Sequence, residues 1–191
     1  MFSTILRLDI IIYNEMLNLH KYSPEYIKLF QIESIRLNKI LNNTCLVEHI
    51  GSTAIPGVDG KGVIDIMLVF DNETDVKYAA KLLENDGYFS SSDNIKRNGR
   101  VFMSSASTKD SNEGDIHLHI LTRNNIDYIN AIMFRNYLIK HQDTKRLYID
   151  LKYKLHNKVN GDRKEYTKLK DVFIKNIINL AQNEKCINDR N

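Results

Sequence analysis

Glu48-His49-Ile50-Gly51-Ser52-Thr53-Ala54-Ile55-Pro56-Gly57, followed by Lys61 and by Ile64-Asp65-Ile66, is the stretch on which the fold turns. Cys45 to Ile50 reads as a strand that ends abruptly at Gly51-Ser52. Val63 to Phe70 is apolar at nearly every position, as in a strand buried on both faces, and Asp65 is its exception. Between them, residues 51 to 62 hold four glycines and a proline, which predicts a structured loop with room for one short helical turn. A Gly-Ser turn after a strand lets backbone N–H groups and a hydroxyl approach a phosphate with no Cβ in the way. A carboxylate on the following strand can hold a divalent cation that bridges phosphates.

Upstream, Ser23-Pro24-Glu25 is a helix start, with serine at the cap, proline at the first helical position and an acid in the first turn. Ile27, Phe30, Ile35 and Leu41 predict its buried face. Downstream, a helix spans Glu73 to Asn85 and stops at Gly87. Arg100 to Ala106 and Asp115 to Leu121 read as strands around a polar turn, Ser107 to Gly114. From Asn125 to near Gln182 the pattern is helical, broken near Gln142-Asp143 and at Asn160-Gly161-Asp162. The order predicts an α+β fold, a small mixed sheet flanked by helices, in a single domain. Its core covers about 20–122, C-terminal helices cover 123–183, and residues 1–19 form an N-terminal extension.

Alternation on the strand from Asp115 sets Asp115, His117 and His119 on one face and Ile116, Leu118 and Ile120 on the other. The second face is core. The first carries two imidazoles about 7 Å apart at strand rise, suited to metal binding, proton transfer or phosphate contact. Glu48 and His49 face opposite sides of their strand, and His49 is the one expected at the site.

The chain has 191 residues, 42% hydrophobic and 27% charged, an ordinary globular composition. Its apolar run Ile10-Ile11-Ile12 is too short to cross a bilayer and there is no secretory signal, so a cytoplasmic protein is expected. Cys45 and Cys186 form neither a disulfide framework nor a zinc motif. From Leu121 onward Lys+Arg number 15 against 8 Asp+Glu, so the net charge of +3 divides into an acidic front and a basic back. That division suits a phosphate-bearing ligand between the halves. Basic residues are not interleaved with aromatics as a single-strand binder needs, which argues against nucleic acid as partner.

The Gly-Ser to Asp65 spacing resembles the DNA polymerase beta-type nucleotidyltransferases. The longer string from Glu48 to Gly57, with Lys61 and Ile64-Asp65-Ile66, resembles the hallmark segment of the GrpB-like family within that superfamily. His117-Leu118-His119, Phe134-Arg135-Asn136-Tyr137-Leu138, Tyr148 with Lys152, and Tyr166 with Lys170 and Phe173 match further family motifs, in order, over about 20–178. Gly62 stands where the family usually has proline, and Asn136 where it usually has aspartate. The resemblance implies a nucleotidyltransferase fold with a helical cap, and a nucleoside triphosphate and a divalent metal (magnesium or manganese) as ligands. It implies catalytic roles for Asp65, His117 and His119, with Asp65 and His119 on the metal. Phosphate contacts fall to Gly51, Ser52, Thr53, Lys61, Arg135 and Lys152, and Glu48, His49, Tyr148 and Lys170 are further pocket residues. Polymerase-type enzymes carry a second acid two residues after the first, and here that position is Met67. Transfer of a nucleotidyl group to a small acceptor is one expectation. Binding a nucleotide or other anionic metabolite without transfer is another, and a metal-dependent hydrolase or ligase-type reaction is a third.

Overall fold

A computed structural model describes residues 19–90, 99–105, 115–159 and 163–188. Helix α1 (Glu25–Ile40) starts one residue later than expected, with Pro24 rather than Ser23 at its cap, while the Ser23 hydroxyl accepts the Glu25 N–H at 3.2 Å. Its buried stripe differs from the expected one. Leu37 and Leu41 are buried together with Glu33, whereas Ile35 is 72% exposed and Ile27 38%. At 100° per residue, positions 30, 33, 37 and 41 lie on one face and position 35 lies opposite. A buried glutamate hid this stripe from a reading based on apolar residues. Glu33 is tolerated there because it accepts hydrogen bonds from the Tyr88 hydroxyl at 2.5 Å and from Arg36 at 2.7 Å.

Strands β1 (Leu46–Ile50), β2 (Ile64–Phe70), β3 (Phe89–Ser90), β4 (Val101–Ser104) and β5 (Ile116–Thr122) form one sheet in the order β1-β2-β5-β4-β3. Only β2 and β5 run parallel, so the fold is α+β with a mixed sheet, as expected. Helix α2 (Glu73–Asn85) makes part of the crossover between them. The Asn72 side chain caps it by accepting the Asp75 N–H at 3.0 Å, and Gly87 follows its end at φ +91°. The two-residue β3 was not anticipated. Strand β4 ends at Ser104, short of the expected Ala106, which with the turn at 107–114 lies outside the described residues. Helices α3 (Ile126–Lys140), α4 (Gln142–Lys158) and α5 (Arg163–Asn188) complete the chain. The first break falls at His141. The residues of the second, 160–162, lie outside the described set, and α5 runs beyond Gln182. No helix among the described residues is long and apolar enough to cross a membrane.

The sheet's two faces differ. One packs Ile64, Ile66, Leu68, Leu118 and Ile120 against α1 and α2 through Leu37, Val76, Ala79 and Leu83. The other carries Met67, Val69 and Leu121 under α3, and Asp65, His117 and His119 beyond its edge. Helices α3 to α5 share a separate cluster of Phe134, Leu138, Tyr148 and Ile177 with Ile55 and Val58 of the loop. The loop after β1 is therefore clamped between sheet and helical cap.

The corrected stripe on α1 is testable by chemical denaturation. Leu37→Ala should cost about 3 kcal/mol through lost burial and a cavity, and Ile35→Ala less than about 0.5 kcal/mol.

Candidate functional site

Gly51 adopts φ +73°, which an L side chain rarely takes, and a Cβ there would lie 2.3 Å from Asp65 Oδ2. Two requirements, conformation and space, thus converge on glycine. The following residues turn at once into a single 3-10 turn, Ser52–Ala54, the short helical turn expected in this loop. Ser52 Oγ presses against Gly60 from one side, 2.3 Å from where its Cβ would be, and Lys152 Nζ approaches the same point to 3.4 Å. Glycines at 51 and 60 let the carboxylate, the hydroxyl and the ammonium crowd the same loop.

Asp65 is a quarter exposed and meets both imidazoles of β5, with Oδ1 3.3 Å from His117 Nδ1 and 3.6 Å from His119 Nε2. Burial would raise its pKa, but hydrogen bonding and charge from His117 and His119 outweigh that and hold the carboxyl well below the usual range. Phe102 of β4 lies edge-on to His117 at 5.1 Å and tilted to His119 at 5.4 Å, closing the far side of the pair. His119 Nδ1 is buried and has no hydrogen-bond partner.

Three lysines approach from the helices and the loop. Lys152 of α4, 3% exposed, donates to the Asp59 carbonyl and lies 5.3 Å from the Tyr148 ring centroid. Lys61 and Lys170 both sit 5.5 Å from the centroid of one ring, that of Tyr166. Burial pushes the Lys152 ammonium down to about 7, the charges of Lys170 and Lys61 add to the effect, and Asp59 and Asp65 oppose it. Burial likewise lowers Lys170, opposed by Asp65 and Asp171.

Other expected site residues are placed differently. His49 turns to the α1 side of the sheet, 8% exposed and stacked on Phe30 at 4.5 Å. Its Nε2 is 3.1 Å from Thr53 Oγ1, and that hydroxyl donates to the Val63 carbonyl at 3.0 Å, so the ring nitrogen carries the proton. Thr53, 1% exposed, is thus engaged within the loop rather than turned to a ligand. Between the two neighbours it is Glu48, opposite Met67 in register, that shares the Asp65 face. Arg135 binds Glu48 at 2.7 Å and the His49 carbonyl at 2.7 Å through Nη1, and Asn136 at 3.0 Å through Nε. It fastens α3 to β1, and these donors are engaged. Tyr148 is a core ring, 4% exposed, stacked on Phe173 and edge-on to Phe134.

Asp59 was not anticipated. Its carboxylate accepts from Lys21 at 3.0 Å, the Tyr22 N–H at 2.9 Å and the Tyr153 hydroxyl at 2.6 Å. Paired backbone bonds between His20 and Gly60, 2.7 and 3.0 Å, tie the same loop to the segment before α1. An acid inside a glycine-rich apolar loop was the available signal.

The GrpB protein family matches residues 16–180. The chain belongs to the GrpB family. A UPF0157 protein of Halalkalibacterium halodurans is 29% identical over 173 residues, 88% of this chain and 84% of that one. Another, from Pseudomonas aeruginosa, is 32% identical over 135 residues, which cover 71% of this chain and 54% of its own length. The crystal structure of the conserved protein GrpB from Enterococcus faecalis superposes with a TM-score of 0.75 at 29% identity, covering 88% of this chain and 99% of that one. Beyond the family, a structure of Cid1 with RNA terminal uridylyl transferase activity reaches a TM-score of 0.50 at 15% identity, over 78% of this chain and 44% of Cid1. That likeness gives the nucleotidyltransferase fold alone.

A pair of divalent ions does not fit this GrpB chain. Met67, in the second acid's position, is 2% exposed and packs with Val69, Leu121 and the α3 residues Tyr128, Ala131 and Ile132. Among the described residues, no group of three or more His, Cys, Asp or Glu side chains is disposed to hold a metal. A single ion arriving on phosphates asks the protein for one carboxylate, and Asp65 offers one. Gly62 has φ +81°, a conformation closed to the proline that the family resemblance led one to expect there.

Two measurements check this geometry. Gly51→Ala should destabilise by about 2 kcal/mol through backbone conformation and clash with Asp65. His49 has its pKa pushed down to about 4, chiefly by burial, with the Arg135 charge adding and Asp65 opposing. The neutral folded form therefore contributes stability that is complete above the ordinary value of 6.5 and is lost as pH falls toward about 4. Urea titrations across that window should fall by on the order of 3 kcal/mol for the native chain, and His49→Gln should flatten the dependence.

Proposed function

We propose that the Gly51-Ser52 turn, Asp65 and the neighbouring lysines bind a nucleoside triphosphate and that the chain transfers a nucleotidyl group from it to a small acceptor. The observation that carries this reading is the meeting of the Gly51-Ser52 turn with the Asp65 carboxylate beside three converging lysines. Backbone N–H groups of the turn and Ser52 Oγ bind phosphate oxygens. Lys61, Lys152 and Lys170 neutralise charge that grows on the phosphates as the bond to the leaving pyrophosphate breaks. Asp65, kept anionic by His117 and His119, faces the reacting phosphorus, and one of the two imidazoles takes the acceptor's proton. A magnesium or manganese ion accompanying the triphosphate, held by Asp65 with His119, would add Lewis-acid stabilisation of the phosphoryl oxygens.

Met67 favours a second reading, binding of a nucleotide or related anion without transfer, because its burial removes the second carboxylate. The two readings separate in one pair of assays. Thermal unfolding with ATP, GTP, CTP and UTP, with and without magnesium or manganese, should give one nucleotide a shift of about 7 °C at 100 times its dissociation constant. Pyrophosphate release should then appear with the right acceptor and vanish in Asp65→Asn, with circular dichroism checking that the variant is folded. Saturable binding with no release for any acceptor supports the second reading, and release retained in Asp65→Asn removes Asp65 from the mechanism.

A further inference from the structure

The peptide bond joining Asp59 to Gly60 is held at both of its polar atoms. Its N–H, that of Gly60, donates to the His20 carbonyl at 3.0 Å, and a trans peptide aims its carbonyl the opposite way. That carbonyl, on Asp59, accepts from Lys152. The Asp59 carboxylate meanwhile grips the segment before α1 through Lys21 and the Tyr22 N–H, and grips α4 through the Tyr153 hydroxyl. Lys152 and Tyr153, consecutive in α4, therefore hold residue 59 by its carbonyl and its carboxylate. Lys152 is almost fully buried and makes no ion pair among the described residues, so this one carbonyl is the oxygen it bonds. A buried ammonium without a paired carboxylate is costly, which makes the aim of that carbonyl matter. The charges bearing on it are Lys61 and Asp59 of the loop, Asp65 of β2 and Lys170 of α5. Above Gly60, Ser52 Oγ and Lys152 Nζ approach to 2.3 and 3.4 Å the point that a Cβ would fill. The carbonyl that holds Lys152 thus also keeps it beside the Ser52 turn.

We infer that Asp59 is a positioning residue, whose carboxylate locks the segment before α1 and α4 onto the loop so that the peptide after it keeps Lys152 beside Ser52. Other anchors do not replace it. Ile55 and Val58 fix the earlier part of the loop against the cap, but neither touches the peptide that carries the carbonyl. The functional weight of Asp59 rests on the reading of Lys152 as a ligand-binding group, whereas the arrangement itself exists without any ligand.

Competitive acetylation of the full chain with acetic anhydride, over about pH 5 to 11 and read lysine by lysine by peptide mass spectrometry, tests this without nucleotide. Only the neutral amine reacts, so each profile reports charge and exposure, and the exposed Lys154 of the same helix is the internal reference. In the native chain Lys152 should become reactive at lower pH than Lys154, because burial, Lys170 and Lys61 push it down to about 7. Asp59→Asn keeps an acceptor oxygen for Tyr22 and Tyr153 but removes a negative charge that favours the ammonium. Its Lys152 profile should therefore move to lower pH, with labelling at about pH 6 faster by about threefold or more. Asp59→Ala loses the grip as well, frees Lys152 to reach water, and should move its profile the other way, toward that of Lys154. Circular dichroism checks that both variants are folded. Native Lys152 profiles in both variants, with or without a lower melting temperature, overturn the inference and leave Asp59 a purely structural anchor. A nucleotide-induced thermal shift that Asp59→Ala retains in full also overturns it, while nucleotide binding itself stands. The reverse failure looks different. Lys152 profiles that move as stated, in a chain whose melting temperature no nucleotide shifts, support the positioning and remove the nucleotide reading.

Discussion

The carboxylate of Asp65 lies against the Cα of Gly51 and meets two imidazoles from the neighbouring strand, and much of the molecule is arranged around keeping it there. Strand β2 supplies the acid, β1 supplies the turn it touches, and β5, paired in parallel with β2, supplies both histidines. A charged group this close to backbone is stable only where no side chain intervenes and where partners favour the ionised form. Glycine at 51 meets the first condition, and His117 and His119 meet the second. The same contact sets the direction of the chain after β1, because φ +73° at Gly51 throws Ser52 into a tight turn toward Gly60.

From that point the loop does two jobs. Ile55 and Val58 anchor the helical cap through Phe134, Leu138, Tyr148 and Ile177, so the cap's core and the site's floor are continuous. Arg135 fastens α3 to β1 through Glu48 and the His49 carbonyl, and Asp59 fastens the loop to the segment before α1 and to α4. Rigid anchorage on three sides suits a site that must hold lysines against their mutual repulsion. A looser frame would let Lys152 and Lys170 reach for water instead.

How much of this was legible in the sequence depended on the kind of force involved. Strand β2 stands out because it is apolar on both faces, and Asp65 because it breaks that pattern. His117 and His119 follow from a period of two. The helix start at Ser23-Pro24 and the stop at Gly87 are local chemistry, and boundaries set by them landed close. What was missed depends on long-range partners. Glu33 is buried because Tyr88 and Arg36, distant in sequence, satisfy it, so the stripe on α1 was misassigned. His49 and Thr53 engage one another inside the loop, and Arg135 engages Glu48; no spacing rule distinguishes such pairs from ligand-facing side chains. The convergence of Lys61, Lys152 and Lys170 on one place required the fold, although each lysine was visible singly.

A crystal structure of the chain with a non-hydrolysable nucleoside triphosphate and magnesium tests the central claim most directly. The account predicts phosphate density between the Ser52 turn and the ammonium groups of Lys61, Lys152 and Lys170, with the α-phosphate nearest Asp65. Phosphates bound elsewhere on the surface, or a cleft that stays empty at saturating nucleotide, would contradict it.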